Sequence, residues 1–166
     1  MSQIWTSPYC SSNKFDSNMS EVFSMIRNEP VRVLNQLLMA QPKISLEAHY
    51  HLNITPLMEA VSIEHLGYVQ YICNKVKEQY TKNNILNPNY KKYINQISTD
   101  GKSALFMGIL MNGDTQVIEY LIEQGALLDL VDYSGKSIFH YARYATSEKV
   151  EDYIMSLQDR KVSLKR

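Results

Sequence analysis

Four stretches of the chain place apolar residues at helical spacing. Val150, Tyr153, Ile154 and Leu157 fall at i, i+3, i+4 and i+7, which puts them on one face of a helix. Val69, Ile72, Cys73 and Val76 repeat the pattern upstream, as do Leu34, Leu37 and Leu38, with Val117 and Leu121 carrying it in between. A shorter apolar cluster and a polar break stand before such a face. Leu105, Phe106 and Gly108 precede "MNGD", and Phe139, His140 and Ala142 precede "ATSE". The pattern predicts a short helix, a tight turn and a second helix, several times over.

The repetition is literal at two points. Gly-Lys-Ser begins at Gly101 and returns at Gly135, 34 residues later, a period typical of stacked repeats. Aligning Ser103 with Ser137 matches Leu105 to Phe139, Phe106 to His140 and Gly108 to Ala142. Thr55, Leu57 and Ala60 fall into the same register, and so do Ser20, Val22 and Met25. The predicted helix pairs span about 20–41, 55–82, 103–124 and 137–157. Pro56 stands in a first helical turn, where its preset φ and missing N–H do no harm. Gly125 is placed as the left-handed residue after a C-cap, and Gly135 allows a tight turn in the link "LVDYSGKS". Thr55 and Ser103 are 48 residues apart, well beyond the period. The surplus, residues 74–96, extends the second helix to about Thr81 and then reads as a loop rich in Asn, Lys and Tyr around Pro88. Insertions in solenoids often lie on a binding face.

Thr55-Pro56-Leu57 with Ala60, and Gly125-Ala126, resemble the ankyrin repeat, whose pattern is G-x-T-P-L-H-x-A, then V-V-x-x-L-L, then G-A-D. His140 stands at the histidine of that motif, whereas Met58 and Phe106 depart from it. The Thr/His hydrogen bond of the family is therefore expected only as Ser137 with His140. The resemblance covers about residues 20–157. It implies an all-α ankyrin-repeat solenoid of about four helix-turn-helix units with short hairpin linkers. The implied repeats are about 20–52, 53–100, 101–134 and 135–157, flanked by a polar segment 1–19 and a basic tail 158–166. Neighbouring units would share a continuous core, and hairpin tips with first helices would line a concave surface suited to another protein.

Carried over position by position, the resemblance implies partner contacts from His51, Leu52, Ile54, Ser62 and Ile63. Thr99, Asp100, Lys102, Leu110 and Met111 would follow, then Tyr133, Ser134, Lys136 and Tyr144. Ile54, Leu110, Met111, Tyr133 and Tyr144 are apolar or aromatic at positions expected to be exposed, which is the composition of an interface centre. Tyr133 and Tyr144 are the expected anchors, with Lys102 and Lys136 pairing acidic groups at the rim. Small stand-alone ankyrin proteins also resemble bacterial effectors acting in host cytosol and viral ankyrin proteins.

Composition narrows the choices. A chain of 166 residues with 45% apolar and 20% charged residues has the size and balance of one globular domain. Basic and acidic residues number 17 each, so broad electrostatic capture of nucleic acid or anionic membrane is not expected. Cys10 and Cys73 cannot build a disulfide framework, and no Cys-x-x-Cys or His-x-x-x-His spacing suggests a metal. Cys73 reads as a small buried hydrophobe, which suits a reducing, cytoplasmic compartment. The start "MSQIWTSPYCSSNKFDSN" lacks the basic and apolar regions of a secretory signal, and no apolar run has the length of a membrane span. Trp5 and Tyr9 mark either a docking segment or a cover for the first unit, and "RKVSLKR" reads as a solvated tail.

Catalysis needs a nucleophile, a base and an orienting group that converge. His49 and His51 lie in a linker, His65 follows Glu64 at a helix start, and His140 falls where the family uses histidine structurally. "MNGD" has no lysine to serve a phosphate cradle. Asp129 and Asp132 share a linker without an apolar wall, and Glu151 with Asp152 reads as a solvated face. The expected function is non-enzymatic protein binding, as adaptor or inhibitor, with no cofactor, metal or small-molecule substrate, by a chain that is monomeric when free. The alternative is an enzyme with chemistry outside the repeats. It is disfavoured because the N-terminal segment and the insertion hold no histidine and only Asp16 and Glu78 as acids.

Overall fold

Polar side chains and prolines set where several of the helices begin. The computed structural model describes residues 19–82, 85–111, 114–145 and 147–163; Trp5, Tyr9 and the end of the basic tail lie outside them. Thr55 Oγ1 accepts the Met58 N–H at 3.2 Å and Pro56 fills the first turn, which starts α3 (Pro56–Ser62). Asp114 accepts from the Gln116 N–H at 3.0 Å and starts α7 (Thr115–Glu123). Ser137 Oγ accepts from the His140 N–H at 3.4 Å and starts α8 (Ile138–Ala142). His65 caps α4 (Leu66–Tyr80) by the same device, its Nδ1 accepting the Tyr68 N–H at 3.2 Å. At the far end of α7, Gly125 takes φ 99° and the Ala126 N–H closes on the Leu121 carbonyl at 3.0 Å, the left-handed stop expected of that glycine.

The remaining helices are α1 (Met19–Asn28), α2 (Val31–Ala40), α5 (Asn89–Ile94), α6 (Ala104–Leu110) and α9 (Glu148–Ser163). Apart from α5 they complete four helix pairs. First helices pack in one row, α1 on α3 on α6 on α8, and second helices in another, α2 on α4 on α7 on α9. Most positions on the faces read from periodicity are buried, while Leu38, Tyr153 and Leu157 are only half-buried. Val69, Ile72, Cys73 and Val76 are fully inside, as are Leu34, Val117, Leu121, Val150 and Ile154. The first helices contribute Val22, Leu57, Ala60, Leu105, Phe106, Ile138 and Ala142 to one continuous core.

Three expectations change. The part of the insertion read as a loop holds β1 (Thr81–Lys82) and β2 (Ile85–Leu86), an antiparallel ribbon with Thr81 opposite Leu86, and then α5. Tyr90, Tyr93 and Ile94 are buried there, because their i, i+3, i+4 spacing gives even this six-residue helix an apolar face. α5 packs on α4. Tyr90 donates to Gln124 at 2.9 Å and Tyr93 to the Leu46 carbonyl at 3.3 Å, tying it to three units. Second, α9 runs past Leu157 to Ser163, so part of the supposed tail is helix. Third, α1 begins at Met19, so Ser20 lies within the helix and not at its cap.

Candidate protein-interaction surface

Three hairpins project from the helix rows and share one construction. In each, the backbone N–H of the residue that opens the turn donates to the carbonyl of the residue four places on. Tyr50 N–H reaches the Ile54 carbonyl, Ser98 N–H the Lys102 carbonyl and Asp132 N–H the Lys136 carbonyl, each at 2.9 Å. Asn53, Gly101 and Gly135 occupy equivalent places and all have positive φ, at 56°, 84° and 78°. Val131 and Ser137 add an antiparallel bridge at the third hairpin.

Successive tips are stitched together. The Thr99 N–H donates to the Leu52 carbonyl at 2.9 Å, and the Tyr133 N–H to the Asp100 carbonyl at 3.1 Å. The second stitch depends on Gly101, since a Cβ there would stand 2.7 Å from the Tyr133 nitrogen. The three tips thus form one continuous row, which the sequence positions alone did not establish.

Asp132 holds the third tip. It is only 4% exposed and accepts the Ser134 and Lys136 N–H groups, each at 2.9 Å, the Ser134 hydroxyl at 2.7 Å, and the Tyr141 hydroxyl. Burial pushes its pKa up, but the bonds from Tyr141, Ser134 and Lys136 outweigh that and hold it at about 2. The carboxylate is a turn-former within the linker where the sequence placed it, a role the sequence did not reveal. Ser98 does the same work in the second tip, where its hydroxyl takes the Lys102 N–H and donates to the Lys102 carbonyl.

Around Asp132 the surface is aromatic and cationic. Lys102 Nζ and Lys136 Nζ lie 6.0 and 5.9 Å from the centre of the Tyr141 ring. His140 packs on Tyr144 at 5.3 Å and edge-on to Tyr141. Of the residues named from the sequence, Leu52, Met111, Tyr133 and Tyr144 are large, apolar or aromatic, and exposed, the last by 75%. His51, Thr99, Asp100, Ser134 and Lys136 are exposed beside them. Ile54, Ser62, Ile63 and Leu110 are half-buried, which corrects the expectation that Ile54 and Leu110 are exposed; Ile54 and Ile63 pack on the core edge. Lys102 is committed within the chain to Asp100, whose pKa it lowers against the opposing effect of burial. The Ser137 hydroxyl accepts the backbone N–H of His140, whose side chain is exposed.

Other groups offer little chemistry. His49 is buried, and burial lowers its pKa against a backbone hydrogen bond at Asn53. Burial pushes the Cys73 thiol up to about 12, far from a reactive thiolate. Among the described residues no group of His, Cys, Asp and Glu is arranged to hold a metal ion, and no helix is long and apolar enough to cross a membrane. Asn95 was missed by sequence reasoning. Fully buried, it donates to the Gly125 carbonyl at 3.0 Å and accepts the Leu127 N–H at 2.8 Å, joining α5 to the end of α7. Ser98 and Asp132 had one usable signal, their 34-residue spacing, which matches the period.

No family model matches the chain, and no curated protein is significantly similar in sequence. Solved structures share the fold. A chain in the crystal structure of yeast ribosomal protein Rps3 in complex with its chaperone Yar1 superposes with a TM-score of 0.73 at 20% identity, covering 86% of this chain and 93% of that one. A chain in the structure of the predatory endopeptidase Bd0816 from Bdellovibrio bacteriovorus, in complex with immunity protein Bd3460, does so with a TM-score of 0.61 at 21% identity. It covers 86% of this chain and 64% of that one.

Proposed function

We propose that the chain is a four-unit ankyrin-repeat protein that binds a partner protein through its hairpin tips and the ends of its first helices. It acts by occupying the partner's surface, as adaptor or inhibitor, and catalyses no reaction. The observation that carries this reading is the row of stitched tips presenting Leu52 and Tyr133 to solvent, with Met111 and Tyr144 exposed at the ends of the first helices. A preorganised row costs little ordering entropy on binding, and tyrosines are among the residues that dominate interface energies. The repeat reading is supported by the 34-residue period, by the two helix rows and by hairpins in phase at Tyr50, Ser98 and Asp132. The similar folds come from structures of two-protein complexes, one with a chaperone and one with an immunity protein, which fits a binding role.

The test compares the wild-type chain with Tyr133→Ala/Tyr144→Ala as baits in quantitative pull-downs. Both side chains are exposed, so the double variant is expected to keep its melting temperature. It should lose at least one partner that the wild type captures. If every captured protein binds both baits with equal affinity, the tip surface is not the site.

A further inference from the structure

The insertion concentrates basic charge. Five of the 17 basic residues, Lys75, Lys77, Lys82, Lys91 and Lys92, lie within 75–92, where Glu78 is the sole acid. Lys75 pairs with Glu78, and Lys77 lies 5.8 Å from the centre of the Tyr90 ring. Lys82, Lys91 and Lys92 are exposed and form no ion pair among the described residues. Beside Lys82 on the ribbon, Ile85 is 74% and Leu86 41% exposed. Two acidic residues stand nearby, and neither pairs with these lysines among the described residues. Glu47 receives the Tyr80 hydroxyl, and Glu123 stands on α7 with its side chain exposed. α5 and the ribbon adjoin α4, in the second-helix row, whereas the third tip is bonded to Tyr141 of α8, in the first-helix row.

We propose that this face is a second docking surface, for an acidic protein segment carrying an aliphatic residue. Lys82, Lys91 and Lys92 would pair its carboxylates while Ile85 and Leu86 cover its apolar side chain. Charge complementarity selects the partner: the chain as a whole is neutral, so this patch is a local field that steers an acidic surface. An apolar centre with a polar rim is the anatomy of a protein interface, and Lys82 stands opposite Ile85 on the ribbon. Single-stranded nucleic acid binds on stacking aromatics, and Tyr90 and Tyr93 are turned inward. An anionic membrane needs a broader apolar face than two side chains provide.

Phage-displayed random twelve-residue peptides panned on the full chain supply the probe. Enriched peptides that bind the insertion are expected to be acidic and to contain an aliphatic residue. Their affinity should fall at least tenfold with Lys82→Gln/Lys91→Gln/Lys92→Gln, fall similarly with Ile85→Ser, and stay unchanged with Tyr133→Ala/Tyr144→Ala. All these positions are on the surface, and an unaltered thermal melt of each variant confirms the fold. The proposal is overturned if no acidic peptide is enriched, or if the enriched ones bind the lysine variant as tightly as wild type. It is equally overturned if phosphatidylserine vesicles or a single-stranded oligonucleotide bind this patch more tightly than the peptides do.

Discussion

Two glycines show how a single position acquires its meaning from what lies opposite. Gly101 and Gly135 are 34 residues apart and both have positive φ, so any side chain at either costs roughly 1–2 kcal/mol of backbone strain. Gly101 alone has a neighbour: a Cβ would meet the Tyr133 nitrogen, while at Gly135 nothing lies within 4 Å. Gly101→Ala is therefore expected to lower the unfolding midpoint in urea clearly more than Gly135→Ala; equal effects would mean the tips are not stitched. His49 makes a second residue-scale prediction. Burial lowers its folded pKa from 6.5, so the unfolded chain binds its proton first and stability rises with pH wherever the two states differ. The contribution is complete above about 6.5 and is lost as pH falls from there towards the lower folded pKa. Urea titrations at pH 7.5 and 5 should show a larger loss for the wild type than for His49→Gln.

At the scale of elements, each second helix serves two neighbours. Leu121 is fully buried on α7, which packs on both α4 and α9. Leu121→Ala is expected to cost about 2–5 kcal/mol, the transfer term plus an unfilled cavity. A loss below about 0.5 kcal/mol, the range of surface substitutions, would mean the helix is in another register. The existence and pairing of these helices were legible because their apolar faces repeat at 3.6-residue spacing over two or more turns. α5 was not, for six residues around "NYKKYI" carry too few periods to separate a helix from a polar loop. Its fold depends on distant partners, namely the Leu46 carbonyl, Gln124 and Gly125.

Across the whole molecule, packing runs between neighbours along two rows, so local stability should follow position in the stack. The inner pairs α3/α4 and α6/α7 each have a pair on both sides, and α5 adds bonds from Leu46 to Gly125. Amide hydrogen exchange is expected to be slowest in α4, α6 and α7 and fastest in α1, α2 and α9. Uniform protection from end to end would contradict a stack built from nearest-neighbour contacts.

The sequence by itself determined the period, the helix pairs and the buried faces, because each rests on local spacing that a helix converts directly into a side. Cap chemistry was readable for the same reason, as with Thr55-Pro56 and Gly125. It also placed Met111, Tyr133 and Tyr144 at positions now seen to be exposed, whereas Ile54 and Leu110, expected to be exposed with them, are half-buried. Only the tertiary structure decided that the tips join into one row, that Asp132 and Ser98 are turn-formers, and that Lys102 is already paired. It alone turned the insertion into a buried helix with a basic outer face. Each of these depends on which groups meet across tens of residues, and hydrogen bonds and burial at that distance leave no periodic trace in the chain.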